Sequence, residues 1–180
     1  MGRGRGTTQV LEQPVRRRAV ATGVSIDLAT TTDVRSMRQL KQTFAQRELK
    51  PLHGLKATKE WIRLNCTQKV LRQQLEEGQQ FVIARNGDAV VGLAAVEQHE
   101  DRVDITGLYL LEPNPEVATQ LSEHLEKEAK RDGCVRARVP VLRSDEQYRR
   151  LLQERGFVGA GQGERDPVFG VIVDYYEKTL

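Results

Sequence analysis

Cysteine, histidine and long hydrophobic runs are all scarce in this chain. Two cysteines, Cys66 and Cys134, and three histidines among 180 residues exclude a disulfide scaffold and a cysteine-rich zinc module, and we expect no bound metal. No apolar run approaches the length of a membrane span and no signal peptide is visible, so we predict a cytoplasmic protein without a membrane segment. At 38% hydrophobic residues the sequence is too apolar for a disordered chain, and its length suits one globular domain.

Positive charge is concentrated at the N-terminus. Residues 1–23 contain five arginines and one glutamate, a net charge of +4, whereas the whole chain carries +3, so residues 24–180 sum to −1. Residues 1–23 are also rich in glycine and lack a hydrophobic period, which predicts a flexible arm. Two interpretations stay open: a solvated tail, or an electrostatic contact with nucleic acid or an acidic partner.

From residue 24 onward, hydrophobic periodicity predicts one domain of alternating strands and helices. The predicted strands cover about 24–28, 81–84, 89–96, 103–111, 135–141 and 168–176, with Phe157-Val158 as a further short piece. The predicted helices cover about 34–44, 58–77, 115–132 and 145–155. The glycine-rich segment 159–163 is predicted to be a mobile loop. This order implies a mixed sheet covered by helices.

Two local signals are sharper than the rest. Asn86-Gly87 lies between two apolar runs and predicts a two-residue hairpin turn, because both residues accept positive φ. Asn114-Pro115-Glu116 predicts a helix start, since it places a capping side chain, a proline at the first position and an acid near the positive end of the helix dipole.

The order of these elements, with their residues, resembles the GNAT superfamily of acyl-CoA-dependent N-acetyltransferases over about residues 24–180. The resemblance rests on 25–34 as first strand and helix cap, 81–96 as central hairpin, 121–133 as the helix after the cofactor loop, Gly156-Phe157, and the terminal strand 176–180. It implies a single α/β (mixed α+β) domain with a mostly antiparallel twisted sheet of about six or seven strands and about four helices.

The resemblance also implies a site for the CoA diphosphate at the start of the fourth predicted helix, on main-chain N–H groups of a glycine-rich loop. Asn114, Val117 and Ala118 fall at or near the matching positions. Glu116 replaces a glycine, however, and Pro115 removes one donor. A like-charge pair about 5 Å apart costs about 3 kcal/mol at an effective dielectric of 20. Two interpretations follow: a self-capped helix, or a shortened, weak or reshaped CoA site.

Catalytic side chains are harder to assign. Where many members of the superfamily place a tyrosine as general acid, this chain has Leu152, and Tyr148 lies one helical turn earlier, either as a substitute or as a half-buried packing residue. The best-placed acids to accept the amine proton are Glu97 and Asp104, although both also fit solvated strand ends.

The resemblance also implies a role for main-chain groups of the predicted strand 103–111. The resemblance implies that Tyr109, Leu110 and Leu111 pair with the pantetheine and polarise the thioester carbonyl, a role that tolerates changes of side chain. On the next strand, Arg136 and Arg138 share one face and either contact phosphate or an acidic substrate, or face water.

The function implied is transfer of an acetyl group from acetyl-CoA, as co-substrate, to an unidentified small-molecule or protein amine by direct attack, without a metal. The alternative is a catalytically inactive binding or structural protein of the same fold, whose basic arm docks an acidic partner or nucleic acid.

Overall fold

The computed structural model describes residues 23–180, and almost all of the predicted arm, residues 1–22, lies outside the described residues. Seven strands form one sheet: β1 (Ser25–Leu28), β2 (Gln80–Asn86), β3 (Ala89–Gln98), β4 (Arg102–Leu110), β5 (Arg136–Leu142), β6 (Val158–Arg165) and β7 (Ile172–Thr179). The α-helices are α1 (Val34–Phe44), α2 (Lys50–Asn65), α3 (Gln68–Glu76), α4 (Pro115–Arg131) and α5 (Glu146–Glu154). A π-helical turn, Ala45–Leu49, joins α1 to α2. This is the mixed α/β class that the sequence predicts.

The sheet has the strand order β1-β2-β3-β4-β5-β7-β6 and is antiparallel except between β4 and β5. These two parallel strands pair over only three residues each, Arg102–Asp104 with Arg136–Arg138. Beyond Asp104, within the described chain, β4 keeps its partner β3 while β5 pairs with β7. The sheet therefore opens between β4 and β5 into a gap toward their carboxyl ends.

Two apolar layers cover the sheet. On one face, α4 packs Val117, Leu121 and Leu125 against β2 to β5. On the other, α1 and α3 pack Met37, Leu40 and Leu71 against Phe81, Ile83 and Leu93. The close approach of α4 depends on Gly92 of β3, since a Cβ there would lie 2.7 Å from Leu121 Cδ1 and 3.0 Å from Val117 Cγ1.

The predicted second helix, 58–77, is wrong in its bounds. Helical structure begins earlier, passes Pro51 in the first turn of α2 and bends at Gly54, which has φ +80°. It then stops at Asn65, and α3 begins where the Thr67 side chain accepts a hydrogen bond from the Val70 N–H. A proline is tolerated in a first turn because its missing N–H needs no partner there.

The predicted glycine-rich loop, 159–163, is also wrong. These residues belong to β6, which pairs antiparallel with β7 despite register shifts on either side of Gly161. The Tyr175 ring of β7 lies over Gly163, where a Cβ would come within 2.6 Å of it. The last strand correspondingly begins at Ile172, not at Val168.

Candidate active site

The gap between β4 and β5 exposes main-chain groups of β4. The Leu111 N–H donates to the Val91 carbonyl of β3 at 2.9 Å. Because successive residues of a strand direct their polar groups to opposite edges, those of Leu110 and Leu108 face the gap. Of the three residues predicted to hold a thioester, Tyr109, Leu110 and Leu111, this register therefore leaves Leu110 on the free edge.

A narrow apolar crevice lies beneath this edge, between the two diverging strands, α4 and α5. Leu108, Val139, Ala118, Tyr148 and Leu152 are among its walls, and its volume is about 20 Å³. A cavity of about 10–15 Å³ is enough for one water molecule, so this crevice has room for little more than one and its walls must part before an acyl group enters. Burial raises the pKa of the Tyr148 hydroxyl well above its usual range, which keeps it protonated at neutral pH.

The start of α4 is capped by its own sequence. The Asn114 side-chain oxygen accepts hydrogen bonds from the N–H groups of Glu116 and Val117, at 3.0 and 3.2 Å. The Ala118 N–H donates to the Asn114 carbonyl, and Pro115 has no N–H to give. The three residues predicted to bind cofactor here, Asn114, Val117 and Ala118, thus use these polar groups within the helix. A diphosphate would have to displace the Asn114 side chain to reach the same amides.

Asp104 lies at the root of the gap, where β4 and β5 last pair. Its side chain is buried, and it accepts hydrogen bonds from Arg102 and from Arg138. The arginines contact both of its oxygens, and His99 Nε2 lies 3.2 Å from Oδ2. Burial alone would raise the pKa of Asp104, but the hydrogen bonds from Arg138 and Arg102 outweigh it and hold the pKa below its ordinary value. Such a carboxylate binds a proton poorly at neutral pH.

Glu97, the other predicted acid, pairs directly with Asp104 across β3 and β4. It is exposed, and within residues 23–180 it makes no ion pair. Directly opposite residues of an antiparallel pair direct their side chains to the same face of the sheet. The structure therefore brings the two predicted acids together, one fixed by cations and the other free.

The two arginines of β5 are engaged with acids. Arg138 pairs with Asp104 and stacks on the Tyr175 ring, 4.6 Å from its centroid. Arg136 donates to Asp101 at 2.7 Å. Both therefore contact carboxylates of this chain, an arrangement that neither of the two predicted interpretations included.

A cluster of aromatic side chains packs against β4 on the face covered by α1 and α2. The Tyr109 ring lies over Gly107, makes an edge contact with Phe44 at 5.1 Å, and faces Trp61 at 6.1 Å. Burial raises the pKa of the Tyr109 hydroxyl well above its usual range. The Tyr109 side chain is thus part of this aromatic cluster, a role that the sequence does not predict.

The aromatic cluster surrounds the ammonium group of Lys41. The sequence did not predict that this charge is buried, because Lys41 lies among the apolar positions of α1. Its side chain is 3% exposed, and its Nζ lies 5.1 Å from the Tyr109 ring centroid and 5.5 Å from that of Trp61. Burial lowers the pKa of Lys41 to about 8. Burial also raises the pKa of the neighbouring Cys66 thiol to about 11.

Arg47, in the π-helical turn, is a second group that the sequence did not single out for a role. Its guanidinium donates to the carbonyls of Leu111 and Leu110, at 2.5 and 3.0 Å, and also to Glu48 at 2.5 Å. Arg47 thereby reaches the free edge of β4 from the opposite side of the fold.

His53 and Phe169 form a stacked pair of rings next to α2. The His53 ring of α2 lies 4.2 Å from the Phe169 ring, centroid to centroid, with an angle of 27° between the planes. Phe169 belongs to the loop between β6 and β7, so the pair joins α2 to that loop. Burial lowers the pKa of His53, which favours a neutral ring.

Residues 23–180 contain no group of three or more histidine, cysteine, aspartate or glutamate side chains placed to hold a metal ion. Among the described helices, none combines the length and the apolar character that crossing a membrane requires.

A mixed sheet that opens between a central parallel pair, with a capped helix after the first of these strands, defines the fold of the GCN5-related N-acetyltransferases, and this chain has that fold. Solved structures with it include the PaiA N-acetyltransferase of Thermoplasma acidophilum in complex with coenzyme A, with a TM-score of 0.76 and 14% identity over 88% of this chain and 99% of that one. A GCN5-related N-acetyltransferase of Rhodopseudomonas palustris has a TM-score of 0.71 and 17% identity over 87% and 95%.

The ribosomal-protein-S18-alanine N-acetyltransferase of Escherichia coli has a TM-score of 0.67 and 14% identity, covering 87% of this chain and 94% of that one. No protein-family model and no curated protein sequence matches the chain. At these identities the likeness shows the fold and leaves the activity to be argued from the residues.

Proposed function

We propose that this protein is an N-acetyltransferase that uses acetyl-CoA as its co-substrate and acts on an amine, of a small molecule or a protein, by direct attack. The observation that carries the proposal is the free edge of β4 at Leu110, which faces a gap walled by apolar side chains and by a protonated tyrosine. Solved neighbours named as N-acetyltransferases, one of them in complex with coenzyme A, support the same class. We place the protein in the cytoplasm.

Acetyl-CoA would supply the activated acyl group, and the chain would supply three functions. The Leu110 N–H would donate to the thioester carbonyl and polarise it, since the Leu110 carbonyl already accepts from Arg47. The free carboxylate of Glu97, through a water chain where needed, would accept the proton that the attacking amine loses. The Tyr148 hydroxyl would donate a proton to the departing thiolate. Asp104, fixed by its cations, is a positioning residue for its neighbour Glu97.

The first test is titration with acetyl-CoA by calorimetry, followed by a thiol-release assay with a panel of amines. We expect binding, and slow thiol release that depends on the amine. Absence of heat at millimolar acetyl-CoA would contradict the proposal and favour a binding protein of this fold.

Variants then separate the roles. Tyr148→Phe should lower kcat by about 100- to 10,000-fold with little change in binding. Glu97→Gln should lower kcat by a similar factor. Glu123→Gln, a carboxylate of α4 away from the gap, is the matched control. Equal activity of Glu97→Gln and Glu123→Gln would remove Glu97 from the mechanism.

A further inference from the structure

The start of α4 leaves the anionic part of an acyl-CoA with little to bind. Asn114 occupies the N–H groups of Glu116 and Val117, Pro115 has none, and the exposed Glu116 carboxylate adds a negative charge. Since a diphosphate needs donors and positive charge, a chain that binds one must provide them elsewhere. This inference rests on the proposed function.

Arg47 is a cation that contacts the end of β4 directly. Its two hydrogen bonds to the Leu110 and Leu111 carbonyls place the guanidinium at the carboxyl end of the strand, just before the loop that leads to α4. A guanidinium has five N–H groups, and those bonds with the one to Glu48 use three. The Arg47 side chain remains 29% exposed, so it is accessible to a ligand.

Arg47 also lines a groove of about 760 Å³ between the end of α1 and α2. The other lining residues are Gln42, Thr43, Gln46, Lys59 and Ile62. These side chains bring a second cation, two amides and a hydroxyl, and no acid. Glu48 borders the groove only through its pair with Arg47. A groove of this volume suits a small-molecule ligand, and its charge suits an anionic one.

We propose that Arg47, with Lys59 across the groove, binds the diphosphate of the acyl donor, in place of the amides of α4. The π-helical turn contributes to this arrangement, because its extra residue in the turn alters which side chains face β4. The donor would then lie along the free edge of β4, with its acyl end in the gap and its phosphates against the groove. Arg47 is thus a specificity-determining residue for donors that carry a diphosphate.

The test compares two donors by calorimetry at low and moderate salt: acetyl-CoA, and S-acetylpantetheine, which lacks the diphosphate and the nucleotide. Arg47→Met should weaken acetyl-CoA binding by about 10- to 100-fold and flatten its salt dependence, and should leave S-acetylpantetheine binding unchanged. Arg47→Lys, which keeps the charge without the planar fork, should lie between. Arg63→Met is the matched control, since Arg63 of α2 is exposed and, among residues 23–180, pairs only with Glu60.

Two results would overturn the inference. Equal weakening of both donors would show that Arg47 only orders the end of β4. Tighter binding of both donors by Arg47→Met would show that the guanidinium blocks the edge.

Inorganic pyrophosphate separates this inference from the proposed function. Pyrophosphate binding that needs Arg47, with no binding of either donor, would sustain the anion site and refute the transferase. Donor binding that ignores Arg47 would do the reverse, and absence of both would refute both.

Discussion

Replacement of Lys41 by methionine should change how the stability of the protein depends on pH. Lys41 is 3% exposed and, among the described residues, faces aromatic rings and no carboxylate. Methionine has nearly the same length and no charge, so Lys41→Met removes the ammonium while keeping most of the packing.

The magnitude follows from the pKa of Lys41, which burial lowers from 10.5 to about 8 in the folded protein. Below pH 8 both folded and unfolded chains carry the proton, and the folded state bears the full cost of the buried charge. Between pH 8 and 10.5 the unfolded chain binds more protons than the folded one, so stability rises with pH. At about 1.36 kcal/mol per pH unit, the gain over that interval is roughly 3 kcal/mol.

Urea unfolding of wild type and Lys41→Met between pH 7 and pH 10 measures this. The quantity to compare is the difference in free energy of unfolding between the two proteins. The Cys66 thiol, with its pKa raised to about 11, opposes the effect above pH 9 in both of them. We expect the wild type to gain about 2 kcal/mol on the variant by pH 10. Lys59→Met, an exposed lysine, is the control and should show no such change. A difference that stays constant from pH 7 to pH 10 would refute the reasoning.

Three further outcomes are expected. Gly92→Ala should lower the free energy of unfolding by about 1–3 kcal/mol, because its Cβ would lie 2.7 Å from Leu121 Cδ1, while Gly159→Ala, with nothing within 4 Å, should be neutral in the same urea titration. Asp104→Asn should lower the free energy of unfolding by about 1–3 kcal/mol at pH 7, because it weakens the hydrogen bonds from Arg102 and Arg138. Because folding lowers the pKa of Asp104 below its ordinary 3.8, the stability it provides is fully present above pH 3.8 and is lost as the pH falls below 3.8 through the lower pKa of the folded protein, so the two unfolding curves should converge in acid. Glu116→Gln should leave the affinity for acetyl-CoA nearly unchanged in calorimetry, since the diphosphate is proposed to bind at Arg47, and severalfold tighter binding would instead place the diphosphate at the start of α4.

Structure specified by short-range interactions was predictable from the sequence. The predicted two-residue turn between β2 and β3 is present but lies one residue further on: Gly87, at φ +59°, and Asp88 form it, while Asn86 ends β2 opposite Ala89 and does not have positive φ. Asn114 caps α4 as its side chain predicts. Both features depend on a few adjacent residues, whose preferred dihedral angles and hydrogen bonds are the same in any fold. The order of strands and helices followed from such signals, and with it the fold class.

Structure specified by distant residues was not predictable. Gly159 to Gly163 have low strand propensity, and they form β6 because β7 provides hydrogen bonds and the Tyr175 ring. In the candidate site, Arg47 meets Leu110 from 63 positions away. Lys41 occupies an apolar helical position, where periodicity alone does not distinguish a buried ammonium from a side chain that extends to solvent.

The same distinction bears on how an acyl donor would be recognised. The groups proposed to hold the thioester belong to the main chain of β4, so they depend on the opening of the sheet and tolerate changes of side chain. Recognition of a diphosphate depends on particular side chains and loop residues, and there Pro115 and Glu116 depart from a glycine-rich loop while Arg47 and Lys59 offer charge from another direction. Mutations should therefore affect recognition of the thioester and recognition of the diphosphate independently. Variants at the groove should alter the preference between acetyl-CoA and S-acetylpantetheine, whereas Tyr148→Phe should slow transfer from both donors equally.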